Sequence, residues 1–140
     1  MKLPPNVSEA DFTAALKAFA SIVGDPWVFT TDEDLELYRD SYSILWGEAD
    51  ERTASAAVAP DSADQVVELV KVANRYRIPI YPISTGKNLG YGGAAPALAG
   101  SVVVDLKRMN RIVEIDERHG YVAVSYTHLD VYKRQSTARA

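Results

Sequence analysis

Hydrophobic positions along the chain switch between a helical spacing and short unbroken runs, and the switches mark out the elements. Phe12, Leu16, Phe19, Ala20 and Val23 recur at near-helical spacing. Ser8 ahead of them is a good N-cap, Asp11 sits in the first turn and Gly24 is a stop, which predicts a helix over about 9–23. Pro4 and Pro5 oppose helix in the lead-in. Trp27, Val28 and Phe29 form a short apolar stretch, and Thr31 or Asp32 caps a short acidic helix through about Tyr38. Residues 40–55 show no period. Ala56 to Ala59 make a short buried run ended by Pro60. Asp61 or Ser62 then caps a helix with Val66, Leu69, Val70 and Ala73 as its apolar positions and Val67 on the flank, ending near Arg77. Ile78 to Ile83 is strand-like, with Pro79 and Pro82 restricting its ladder bonds. Val102 to Val104 is a buried strand, Arg111 to Asp116 alternates, and after the turn Glu117 to Gly120 a return strand begins at Tyr121 and runs to Val124.

A crossover helix between short buried strands implies a parallel pair, and the hairpin adds antiparallel strands, so the expected fold class is α+β. An apolar fraction of 47% in 140 residues supports a core of ordinary domain size. The formal net charge of −4 argues against a nucleic-acid partner. The chain has no cysteine, which excludes disulfides, thiolate metal sites, iron–sulfur clusters and cysteine nucleophiles. His119 and His128 are too few for a histidine metal site, so no metal is expected. No run of about 18 apolar residues is present, so no membrane partner is expected. The first dozen residues lack the apolar core of a signal peptide, which points to the cytoplasm, with the periplasm left open by a leader removed upstream.

The densest chemistry is a glycine loop, Ser84-Thr85-Gly86-Lys87-Asn88-Leu89-Gly90-Tyr91-Gly92-Gly93. Glycine admits positive φ and close backbone approach, and successive N–H groups in such a loop form an anion-binding concavity. A pyrophosphate suits it, with Ser84, Thr85 and Asn88 as further donors and Lys87 supplying charge or facing water. A P-loop is excluded, because Tyr81 stands where its first Gly belongs and Asn88 follows the Gly-Lys pair. The dinucleotide fingerprint fails as well: Gly90-Tyr91-Gly92 is followed at the last position by Ala95, and Ala94-Ala95-Pro96 is a poor helix start. A ligand-free glycine turn is the competing reading of the residues alone.

From Val58 to Val124 the chain resembles the FAD-binding domain of the vanillyl-alcohol oxidase/4-cresol dehydrogenase flavoprotein family, whose FAD-binding domain is of the PCMH type. The resemblance is carried by Ala59-Pro60, the helix Val66 to Tyr76, the run from Ile78 to Pro96, Gly100 to Leu106, and Arg108-Met109-Asn110-Arg111-Ile112. It is most similar to the branch acting on 4-alkylphenols. It implies a first subdomain of three short parallel strands, the start of an antiparallel second subdomain, and FAD as cofactor. Ser84, Thr85, Gly86, Lys87, Asn88, Leu89, Gly90 and Gly92 are then expected to wrap the FAD pyrophosphate, and Tyr91 to reach the phenolate oxygen of the substrate as the catalytic residue. Asn88 takes the place of a histidine that bonds covalently to the flavin in some relatives, so this loop does not make that bond. In the alkylphenol branch a covalent Tyr or His, when present, comes much later.

The implied activity is benzylic hydride transfer from a 4-alkylphenol or related para-hydroxylated aromatic to FAD, with reoxidation by oxygen or by a partner such as a cytochrome. A homo-oligomeric parent is compatible with it. Two alternatives stay open: a non-catalytic nucleotide-binding or structural fragment, and a related flavoprotein oxidising a 2-hydroxy acid. The expected organisation is a helical lead-in over 1–55, the N-terminal part of the FAD-binding domain over 56–124, and a non-native tail over 125–140. At Ser125 the family pattern of Glu-Pro-Gly-Val-Thr gives way to Ser-Tyr-Thr-His, and the charge changes sign, with Lys133, Arg134 and Arg139 against Asp130 alone. Asp105 reads as a cap or loop-orienting residue or as a strand-end turn residue, Met109 as core, Asn110 as a turn residue, His119 as solvated, and Trp27 and Trp46 as packing residues.

Overall fold

The computed structural model describes residues 2–84, 86 and 93–125. Ser8 accepts a hydrogen bond from the Asp11 amide and opens α1 (Glu9–Val23), which ends where Gly24 turns to positive φ. A short 3-10 turn leads into β1 (Val28–Phe29), and Thr31, bonded by the Asp34 amide, opens α2 (Asp32–Glu36). β2 (Ala56–Val58), α3 (Ala63–Tyr76), β3 (Ile80–Ile83) and β4 (Val102–Asp105) follow, then the hairpin β5 (Ile112–Asp116) and β6 (Tyr121–Val124). Ser62 caps α3, and Arg77 closes it in the left-handed region at φ 53, a place glycine usually fills.

The larger sheet runs in the order β1-β2-β4-β3. β2, β4 and β3 are parallel, as expected, while β1 joins the edge antiparallel to β2. That strand was legible only as an apolar stretch, because two residues are too short to show a period. Register divides the sheet into two faces. Val58, paired with Val28 and Val104, faces the helices together with Ala56 and Val102. Phe12, Ala15, Phe19 and Val23 of α1 and Leu69 and Ala73 of α3 complete that core. The buried line on α3 adds Val72 and Tyr76, while Val70 is 37% exposed. The inner face of α3 is thus rotated from the expected one: Leu69, Val72, Ala73 and Tyr76 lie in or against this core, and α3 packs on α1.

The opposite face carries Ala57, Val103 and Ile83, and among the described residues no long helix covers it. It is closed by Tyr38 and Ala54 from the segment between α2 and β2 and by Ala94 from beyond the glycine loop. The hairpin forms as predicted, with its turn at residues 117–120, and it makes a separate two-stranded sheet. Ser125, the first residue of the expected tail, extends the hairpin by bonding the Arg111 backbone in both directions. The rest of that expectation, 126–140, lies outside the described residues.

Candidate functional site

Because β2, β4 and β3 are parallel, their carboxyl ends lie on one edge of the sheet. In open α/β sheets this edge is where ligands bind. Pro60, Asp105 and Ser84 stand there, and the glycine loop leaves β3 at Ser84, which is half-buried. Gly86 has φ +66. A Cβ placed on it would stand 2.9 Å from the Ala94 Cβ and 3.4 Å from the Ile83 Cδ1, so the two limbs of the loop pinch together at Gly86 and Ala94. Ala94 is buried beside Ile83 and anchors this neck in the core. Only glycine provides both the left-handed backbone and the missing side chain. On the returning limb, a Cβ on Gly93 would lie 3.5 Å from Asp40, so residue 40 rests directly on the loop's base. Of the predicted site residues, Ser84 and Gly86 are thus at the sheet edge. Thr85, Lys87, Asn88, Leu89, Gly90, Tyr91 and Gly92 lie outside the described residues.

Sequence reasoning missed the polar cluster below the loop. Asp105 ends β4 in register with Ile83 and is 4% exposed. The Tyr38 hydroxyl donates to its Oδ2 at 2.9 Å, and the Lys107 ammonium approaches the same oxygen at 3.0 Å. The Lys107 amide donates to Oδ1, capping a short 3-10 turn, so the cap reading of Asp105 holds. Burial, and then the neighbouring carboxylate of Asp105, push the Tyr38 phenol well above its usual range, and it stays a donor. Lys107 also sits 5.0 Å over the Phe29 ring. Arg108 donates to the Ala59 carbonyl at 2.7 Å, pairs with Asp61 and stacks 3.9 Å over Trp27, tying the end of β4 to the end of β2. The one signal for this cluster was Asp105 itself, an acid closing an apolar strand. Tyr38 is 67 residues away and carried none.

A cleft of about 420 Å³ opens between the 40–52 segment and the base of the loop, lined among others by Asp40, Tyr42, Ile44, Tyr81, Gly93 and Pro96. Met109 is buried, as expected. His119 is exposed on the hairpin turn, 2.8 Å from Asp116. Among the described residues no group of His, Asp and Glu is arranged to hold a metal, and no helix is long and apolar enough to cross a membrane.

A profile described as an FAD binding domain matches residues 54–126. The chain belongs to this FAD binding domain family. It is 38% identical over 122 residues to the 4-cresol dehydrogenase [hydroxylating] flavoprotein subunit of Pseudomonas putida, covering 87% of this chain and 23% of that one. Among solved structures, a 4-ethylphenol oxidase from Gulosibacter chungangensis superposes with a TM-score of 0.85 at 36% identity, covering 99% of this chain and 27% of that one. A p-cresol methylhydroxylase with substrate bound gives 0.82 at 35% identity, over 97% of this chain and 26% of that one. The chain therefore spans about a quarter of the length of these relatives. FAD is the cofactor of this domain, and the three relatives named above are a dehydrogenase, an oxidase and a methylhydroxylase. The site fits the group: a loop with a glycine neck that a Cβ would fill, at the carboxyl edge of parallel strands, lets backbone donors approach a pyrophosphate closely.

Proposed function

We propose that this chain supplies the pyrophosphate-binding part of the FAD site in an oxidoreductase acting on 4-alkylphenols or related para-hydroxylated aromatics. The reading is carried by agreement with two phenol-oxidising relatives along nearly the whole chain, including residues ahead of the family match. Backbone N–H groups from Ser84, Thr85, Gly86, Lys87, Asn88, Leu89, Gly90 and Gly92 would hold the pyrophosphate oxygens, with Lys87 adding charge. Bound FAD supplies the acceptor for a hydride from the benzylic carbon of the substrate. Tyr91 is the catalytic residue of this proposal. A tyrosine hydroxyl is a hydrogen-bond donor at neutral pH, and in this proposal it donates to the phenolate oxygen of the substrate. That charge-assisted bond stabilises the electron-rich form from which hydride leaves. Oxygen or a protein such as a cytochrome closes the turnover, and the subunit naming of the Pseudomonas relative supports a protein acceptor.

Two measurements test this. The purified chain is expected to quench the fluorescence of added FAD saturably and to stay yellow after desalting; a colourless protein that leaves FAD unchanged contradicts the cofactor site. In a full-length oxidoreductase carrying this domain, Tyr91→Phe is expected to slow flavin reduction by a 4-alkylphenol about tenfold to a hundredfold, the equivalent of losing one hydrogen bond to a charged group. Reduction at the unaltered rate makes Tyr91 a packing residue.

A further inference from the structure

The 37–51 segment crosses the open face of the sheet as a strap, and one guanidinium fastens it. Arg39 donates through Nε to Glu51 Oε1 at 2.8 Å and through Nη2 to Glu51 Oε2 at 2.6 Å. Its Nη1 reaches both Glu36 oxygens, at 3.1 and 2.9 Å, and its plane lies 3.7 Å over the Trp46 ring. Glu51 is 5% exposed and also accepts from the Gly47 amide at 2.8 Å. The Lys2 ammonium donates to the carbonyls of Ala49 and Glu51. Both ends of the strap and its middle thus converge on one ion pair.

The residues on either side of Arg39 do something different. Tyr38 is packed in the cluster that holds Ile83 and Ala94, and its hydroxyl bonds Asp105. Asp40 lies against Gly93, and its Oδ1 accepts from the Tyr42 amide, fixing the turn that presents it. Ile83, Gly93 and Ala94 are the residues that form or flank the neck of the glycine loop. The strap meanwhile leaves Tyr42 and Ile44 77% and 96% exposed, so apolar burial of its own middle does little to hold it down.

We propose that Arg39 is a positioning residue for the cofactor loop: by locking the two ends of the strap together through Glu51, it seats Tyr38 and Asp40 against the loop's neck. This rests on the reading of the glycine loop as the pyrophosphate cradle. It places a determinant of cofactor affinity outside the 54–126 family match. A planar fork engaging two carboxylates while stacked on an indole is specific to arginine, so lysine replaces it only in part.

The test uses the whole chain and two readouts. Backbone order parameters at Gly93 and Ala94 are expected to lie near the rigid value of about 0.85 in the wild type and to fall below about 0.6 in Arg39→Gln, with α1 and α3 unchanged. Arg39→Lys should be intermediate, and Glu51→Gln, which keeps the shape of the acceptor but not its charge, should loosen the same two residues if Arg39→Gln proves too unstable to study. FAD affinity, measured by fluorescence quenching, should weaken about tenfold in Arg39→Gln. The proposal is overturned if the strap loosens while Gly93 and Ala94 stay rigid, or if they loosen and FAD affinity is unchanged while Gly86→Val abolishes it. If Gly86→Val leaves FAD affinity intact, the cradle reading fails instead, and the order parameters still decide whether Arg39 holds the neck.

Discussion

The two faces of the four-stranded sheet are held by different physics. On the helix face, α1 and α3 bury Phe12, Phe19, Leu69 and a row of alanines and valines. On the strap face, the apolar cluster is small, and Asp105 and Glu51, both buried, organise Tyr38, Lys107 and Arg39 around it. Nondirectional burial suffices where two helices pack on a sheet. The loop-covered face uses directional bonds instead, and the glycine loop emerges on that side. A face that must present a loop at a defined place benefits from groups whose geometry is fixed, because a hydrogen bond or bidentate pair has one good arrangement.

Substitutions on each face sharpen that contrast. Phe19→Ala on the helix face should cost the most, about 3–5 kcal/mol of unfolding free energy, since Phe19 is wholly buried and its cavity is lined by packed helices. Chemical denaturation measures it, and a cost near zero would mean the helix core is not what holds the sheet. Gly100→Ala comes next. Gly100 has φ +82, and a Cβ there would meet the Leu3 carbonyl oxygen at 2.5 Å, so the strain of a non-glycine residue, about 1–3 kcal/mol, is compounded by displacement of the N-terminal segment. A thermal melt that does not move would show that this segment does not pack on Gly100.

Tyr38→Phe removes the buried donor to Asp105 and should cost about 1.5–3 kcal/mol, the range for a bond to a charged group. An effect under a few tenths would reduce the polar cluster to decoration. The pH dependence is smaller in scale. The hydrogen bonds from Arg39 hold the Glu51 carboxyl below its usual range. A carboxyl lowered on folding stabilises fully above its unfolded value of about 4.3, and that contribution disappears as pH falls through the lowered value. The stability gap between wild type and Glu51→Gln should therefore be open at pH 7 and narrow in acid, as followed by urea titrations across that range. A gap independent of pH would mean that the charge of Glu51 does not act. Removing residues 126–140 should have the least effect, with no measurable change in stability; a marked loss would make that stretch part of the fold.

The helix face was legible in the sequence because periodicity reports burial against a partner of any kind. Ser8, Ser62 and the 56–59 run located α1, α3 and β2, and only the rotation of α3 was misjudged, since Val70 and Val72 are equally apolar and the choice between them belongs to packing. The strap face was not legible. Residues 40–55 have no period, and Arg39 with Glu51, or Tyr38 with Asp105, are pairs whose meaning exists only once the chain has folded back. Two residues of β1 likewise become a strand only beside β2. The glycine loop could be read as chemistry from its composition, yet the reason for Gly86 in particular, a neck against Ala94, exists only in the folded chain.

The central claim is that the loop at the carboxyl edge of the parallel strands holds FAD. It is tested most directly by titrating FAD against the wild-type chain and against Gly86→Val, with circular dichroism confirming that both keep their helices. The account predicts saturable binding by the wild type and at least a tenfold loss in the variant, because valine fits neither the positive φ nor the 2.9 Å gap to Ala94. Equal affinity in the two proteins would contradict it.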